Sequence, residues 1–133
     1  MPLEVTALYA ALLGLVALAL ILTTGRIRTG TDISLGHGTN DKLLEAMRRH
    51  ANWVENVPFA LLMIAVAEIN GASKLWLHAL GAALLIARII HPFGIKSQNM
   101  RTLPRFIGML GTVFVIVAAI VTLLWQYISL HLS

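Results

Sequence analysis

The chain has 133 residues, of which 58% are hydrophobic and only 12% charged, and its mean hydropathy is +0.81. A soluble domain has roughly 25% charged residues, so this composition leaves too few polar groups to cover a water-facing surface and excludes an ordinary soluble fold. The net charge of +4 is gathered in two segments without aromatic interleaving, which speaks against nucleic acid, and the absence of cysteine excludes a disulfide framework, a thiolate metal site and a cysteine nucleophile.

The length allows one domain, 1–133, and no separate soluble module. The first predicted span is 5–24, free of charge and long enough for a bilayer crossing, which needs roughly 20 apolar residues. It is preceded by Glu4 rather than a cation, and so reads as a span and not as a cleaved signal. The connector 25–40 carries Gly25, Gly30, Gly36 and Gly38 and reads as loop. A second helix is predicted over 41–69, capped by Thr39, Asn40 or Asp41 and kinked at Pro58. At 1.5 Å per residue it reaches on the order of 40 Å, so its charged first turns (Lys42, Glu45, Arg48, Arg49) belong in or beyond the headgroup layer. Asn70-Gly71 marks a tight turn into a third span, 74–91, whose Ala79, Ala83 and Ala87 form a stripe of small residues suited to close helix packing. Pro92 and Gly94 end it, a basic connector follows, and the fourth span is 103–130.

Cation placement predicts the topology. Arg26, Arg28, Lys42, Arg48 and Arg49 flank the first connector, Lys96, Arg101 and Arg105 the third, and only Lys74 stands on the other side. The positive-inside rule then puts both connectors in the cytoplasm and both termini away from it. Trp53, Trp76 and Trp125 read as interfacial anchors, His78 and His131 as surface or packing residues, and Glu68 as interfacial.

The chemistry concentrates at the base of the second helix, in Arg48-Arg49-His50-Ala51-Asn52-Trp53-Val54-Glu55-Asn56-Val57-Pro58-Phe59. Arg48, Asn52 and Glu55 stand at i, i+4 and i+7 and share a helical face. An ionised residue at the depth of Glu55 needs a partner and faces a bundle interior or cavity. The spacing suits a structural Arg–Glu tie and a ligand pocket equally well. Arg88 and His91 on the third helix, Arg105 with Arg101 at the fourth, and Arg26 and Arg28 leaving the first would converge at the same level. Such a pocket suits an anion that also carries an ammonium, because guanidinium forks hold carboxylates and a carboxylate receives the amine.

The string Arg48-x-His50-x-Asn52-x-x-Glu55-Asn56-x-Pro58-Phe59 resembles the signature of the MAPEG family, the membrane-associated proteins in eicosanoid and glutathione metabolism. The resemblance covers nearly the whole chain. It implies an all-α integral membrane protein, a four-helix transmembrane bundle assembled as a homotrimer. Glutathione would bind in clefts between subunits toward the cytoplasmic side, with no metal. The glutathione-binding positions that match are Arg48, His50, Asn52, Glu55, Arg88, His91 and Arg26. Arg105, followed by Gly108 and Thr112, matches the arginine that lies near the glutathione sulfur, with Arg28 or Arg26 second in that role. The eicosanoid branch has a tyrosine one turn after its third-helix histidine; here Ile95 stands at that position and the tyrosines are Tyr9 and Tyr127. Together with the Gly-rich first connector and His37, this points to the simpler bacterial-type members and to a bacterial inner membrane. The implied function is a glutathione-dependent transferase or peroxidase acting on hydrophobic small-molecule electrophiles, with membrane lipid and further copies of the chain as partners and no nucleic acid. A non-enzymatic membrane subunit or lipid-binding scaffold of the same fold, and a small four-span transporter gated by Glu55 and Arg48, are the alternatives.

Overall fold

The computed structural model describes residues 2–132, and all of its regular structure there is helical. Helix α1 spans Glu4–Thr29, α2 Asp41–Ile69, α3 Lys74–Ile90 and α4 Leu103–Leu132, with a 3-10 turn, His91–Gly94, closing the third span. All four are long and apolar enough to cross a membrane. A helix satisfies its backbone hydrogen bonds internally, which is why an apolar chain in lipid takes this form.

The local signals act at the helix ends. Asn40 caps α2, its side chain accepting from the Leu43 N–H (3.0 Å), and Ser73 caps α3 by accepting from the Trp76 N–H (3.3 Å). Gly71 turns the chain between them at φ +84°, a left-handed conformation that costs glycine no Cβ clash. Helix α2 continues through Pro58 without interruption. Helix α1 runs on through Gly25 to Thr29, so the first residues of the connector read as loop are helical. The apolar stretch ends at Thr24, but nothing in 25–29 prevents another turn of helix, and Arg26 and Arg28 suit the negative end of the helix dipole.

Helix α1 packs against α2 and α3, and α4 packs against the same two, so α1 and α4 occupy opposite corners of the bundle. Leu13, Val57, Ile64, Leu77, Leu80, Leu84 and Val115 meet in the centre. Leu15, Leu22, Leu62, Phe114 and Val121 face outward, where lipid replaces water as their solvent. Of the predicted alanine stripe, only Ala87 is buried. Its partner is glycine on α4: a Cβ at Gly108 would run into His91 and the Ala87 carbonyl, and one at Gly111 would press on the Ala87 Cβ.

The end of the bundle that holds the N-terminus of α1 is closed by its own polar groups. Glu68, expected at the interface, is buried at 8% exposure and caps α1: its carboxylate accepts from the Val5 N–H (2.9 Å), the Thr6 N–H (2.8 Å) and the Thr6 hydroxyl (2.6 Å). A carboxylate at a helix N-terminus meets unpaired N–H groups and the positive end of the dipole together. Around it Lys74 pairs with Glu4 (2.8 Å), the Tyr9 hydroxyl donates to the His78 carbonyl (3.0 Å), the Trp76 indole N–H donates to the Thr122 hydroxyl (2.9 Å), and the Gln126 amide donates to the Ala67 carbonyl (3.0 Å).

Candidate functional site

At the opposite end a cavity of about 780 Å³ opens between the base of α2, the 3-10 turn, the following connector and the start of α4. This is within the range of small-ligand pockets, roughly 300–1,000 Å³. Helix α2 contributes Arg48 and Asn52, the 3-10 turn His91, the connector Lys96 and Arg101, and α4 Arg105. The wall continues onto Leu103, Phe106 and Met109, which are exposed on the outer face of α4. The cavity therefore joins a cationic inner part to an apolar side that faces lipid.

The geometry follows from local sequence. Arg48 and Asn52 are one helical turn apart and lie on the same face. His91, 3% exposed, is held at the end of α3 by the close approach of Gly108. Gly94 allows a second close approach, since a Cβ there would collide with the backbone of Arg105. Those two glycines bring the 3-10 turn and α4 near enough for His91 and Arg105 to share one cavity.

Arg88 is not at the cavity surface. It is 2% exposed and lies behind Asn52, donating to the Asn52 side-chain oxygen (2.8 Å) and to the Gly108 carbonyl (2.9 Å). These two bonds tie α2, α3 and α4 together, and they settle the orientation of the Asn52 amide: its oxygen faces Arg88, so its NH₂ is left to donate. Among the described residues Arg88 has no carboxylate partner, and its Nε has no hydrogen-bond partner. Neutral acceptors leave its charge uncompensated, and at low local dielectric that charge is felt across the cavity wall.

Arg48, Arg101 and Arg105 likewise make no ion pair or side-chain hydrogen bond among the described residues. One carboxylate, Glu45, lines the cavity, and both of its oxygens are engaged, by Arg49 (2.9 Å) and by the Ser97 N–H (2.9 Å). Guanidinium groups gathered without counter-ions form a site for an anion.

The other sequence-predicted residues lie apart from this cavity within one chain. Glu55 is exposed on α2 and His50 half-buried, and neither lines it. Arg26 is exposed at the end of α1. Arg28 folds the first connector around itself, donating to the carbonyls of Ile33 (3.1 Å) and Gly36 (3.1 Å) and contacting the Met47 sulfur (3.2 Å). Sequence reasoning missed the part played by Glu45 and Arg49. Their i, i+4 spacing was the available signal, but it says nothing of the connector they hold.

These features define a four-helix membrane bundle with a cationic cavity at one end, open on its apolar side. The sequence model of the MAPEG family matches residues 6–125, and the chain belongs to that family. The inner membrane protein YecN of Escherichia coli K12 is 31% identical over 121 residues, covering 91% of each chain. The inner membrane protein YecN of E. coli O6:H1 strain CFT073 matches to the same extent.

Proposed function

We propose that this protein is a glutathione-dependent transferase or peroxidase for hydrophobic electrophiles. The observation that carries the reading is the convergence of Arg48, Asn52, His91 and Arg105 on one cavity whose remaining wall is apolar and exposed to lipid. Family membership and the match of these positions to the family's glutathione motif support it.

Arg48 and the Asn52 NH₂ are suited to a carboxylate of glutathione, and Arg105 to the sulfur. A free thiol has a pKa of about 8.5 and is mostly protonated at neutral pH. A guanidinium within a few ångströms stabilises the thiolate, which is the nucleophile. Lowering the pKa by about 2 units corresponds to roughly 2.7 kcal/mol. The thiolate sulfur then forms a bond to an electrophilic carbon as the leaving group departs with the bonding pair. With a hydroperoxide, sulfur takes the terminal oxygen, the O–O bond breaks and the alkoxide is protonated to the alcohol. A second glutathione then displaces water from the sulfenic acid, and the products are glutathione disulfide and water. Electrophiles dissolved in the bilayer would arrive along Phe106 and Met109.

Arg28 is committed to connector carbonyls, which leaves Arg105 as the principal group for the sulfur. Glu55 and Arg26, exposed on one chain, would reach a ligand from a neighbouring copy in a homotrimer. The similarity to inner membrane protein YecN and the distribution of cations favour a bacterial inner membrane, with both termini outside the cytoplasm.

The test is turnover by purified protein in detergent, with an activated aryl halide or an organic hydroperoxide as the second substrate and native mass spectrometry for subunit number. Glutathione-dependent product formation by a trimer is expected. A trimer that consumes neither class of electrophile would overturn the enzymatic reading and leave the scaffold.

A further inference from the structure

One wall of the cavity is not helical. The connector 95–102 carries the cavity residues Lys96 and Arg101, and residues this exposed on a polar loop would ordinarily move. Within the connector the chain folds on itself through a bridge between Lys96 and Asn99 and a bond from the Arg101 N–H to the Asn99 side chain (2.9 Å). At its far end the Thr102 hydroxyl donates to the Gly94 carbonyl of the 3-10 turn (2.5 Å), and its near end is bonded to two side chains on α2. Glu45 accepts from the Ser97 N–H (2.9 Å), and Arg49 donates to the Ile95 carbonyl (3.0 Å). The two side chains are joined to each other by an ion pair of 2.9 Å and are only 17% and 21% exposed.

We infer that Glu45 and Arg49 form a clasp that positions the first half of the connector and thereby holds Lys96, and through the Lys96–Asn99 bridge Arg101, against the ligand. Each oxygen of Glu45 already holds a partner within the protein, which makes it a positioning residue in this reading. Arg49, one residue beyond Arg48, faces the connector and not the cavity. Adjacent arginines thus have different tasks: Arg48 meets the ligand and Arg49 sets the wall opposite it. Arg105 does not depend on the clasp, because its backbone is seated against Gly94. Loss of the clasp should therefore weaken ligand binding and spare thiolate formation. That functional half rests on the glutathione reading.

The chain has no cysteine, so a single Gln98→Cys change on the exposed connector gives a unique site for a nitroxide spin label. Glu45→Ala and the milder Glu45→Gln are compared with the parent in the full-length protein. The inference predicts a sharpened, mobile spectrum in Glu45→Ala and an intermediate one in Glu45→Gln. It also predicts a glutathione dissociation constant raised about tenfold by Glu45→Ala, with the thiolate absorbance at saturation unchanged. A label as immobile in Glu45→Ala as in the parent would overturn the clasp. A mobile label with unchanged affinity would overturn its role in the site. If the parent itself gives no glutathione signal, the proposed function and the clasp's role in glutathione binding fail together, and the mobility spectra alone decide whether the clasp holds the connector. Glu45→Gln keeps the side chain's shape and gives the mobility reading should Glu45→Ala not fold.

Discussion

The end of the bundle around Glu68 and the end around Arg105 are both rich in polar side chains, but only the first closes on itself. There a carboxylate meets the α1 N-terminus, a lysine meets a glutamate, and tyrosine, tryptophan and glutamine each find an acceptor. At the other end Arg48, Arg101 and Arg105 stand around a cavity without an ion-pair partner among the described residues, and Arg88 is buried behind them without a carboxylate there. Polar groups that satisfy one another stabilise a fold; cations left without a partner suit an anion. Under the proposed function the contrast assigns stability to one end and ligand binding to the other, and mutations at the two ends should separate accordingly.

The largest effect expected is at the closed end. Glu68→Ala leaves two buried N–H groups and a hydroxyl without an acceptor and should destabilise the protein by about 3 kcal/mol, seen as a lower melting temperature in detergent, with glutathione affinity intact in the folded fraction. A loss of affinity without a loss of stability would break the division between the ends. At the open end, Arg105→Ala should leave melting unchanged and return the bound thiol toward its ordinary pKa, lowering turnover near neutral pH by about 25-fold through the smaller thiolate fraction. Arg48→Ala should weaken glutathione binding by roughly tenfold, about 1.4 kcal/mol, with the spectrum of the bound thiolate retained, as read by titration. The smallest effect belongs to Lys74→Ala, which removes the exposed pair with Glu4 and should change neither melting nor binding, because solvent screens such pairs.

The two ends were also unequally legible in the sequence. Hydropathy located four spans, and the run Thr39-Asn40-Asp41 marked a helix start and Asn70-Gly71 a turn, because caps and left-handed turns depend on adjacent residues. The motif Arg48-x-His50-x-Asn52-x-x-Glu55 located the cavity end through the resemblance and identified the family. What the sequence did not reveal depends on partners far along the chain. Glu68 reads as an interfacial carboxylate until α1 returns its first N–H groups to it, more than sixty residues away in sequence. Glu45 and Arg49 read as solvated charges at a helix base until Ile95 and Ser97 arrive beside them. Arg88 was legible as a third-helix cation at the level of the pocket; that it lies behind Asn52 and not on the cavity surface required the crossing of α2, α3 and α4 at Gly108.

The most direct test is titration of the purified protein with glutathione, following thiolate absorbance in the ultraviolet as a function of pH, beside Arg105→Ala and Glu68→Ala. The account predicts a saturable thiolate signal with a midpoint below the ordinary thiol pKa of about 8.5, lost in Arg105→Ala and kept in the folded fraction of Glu68→Ala. No signal from the folded parent protein, or an equal signal from Arg105→Ala, would contradict it.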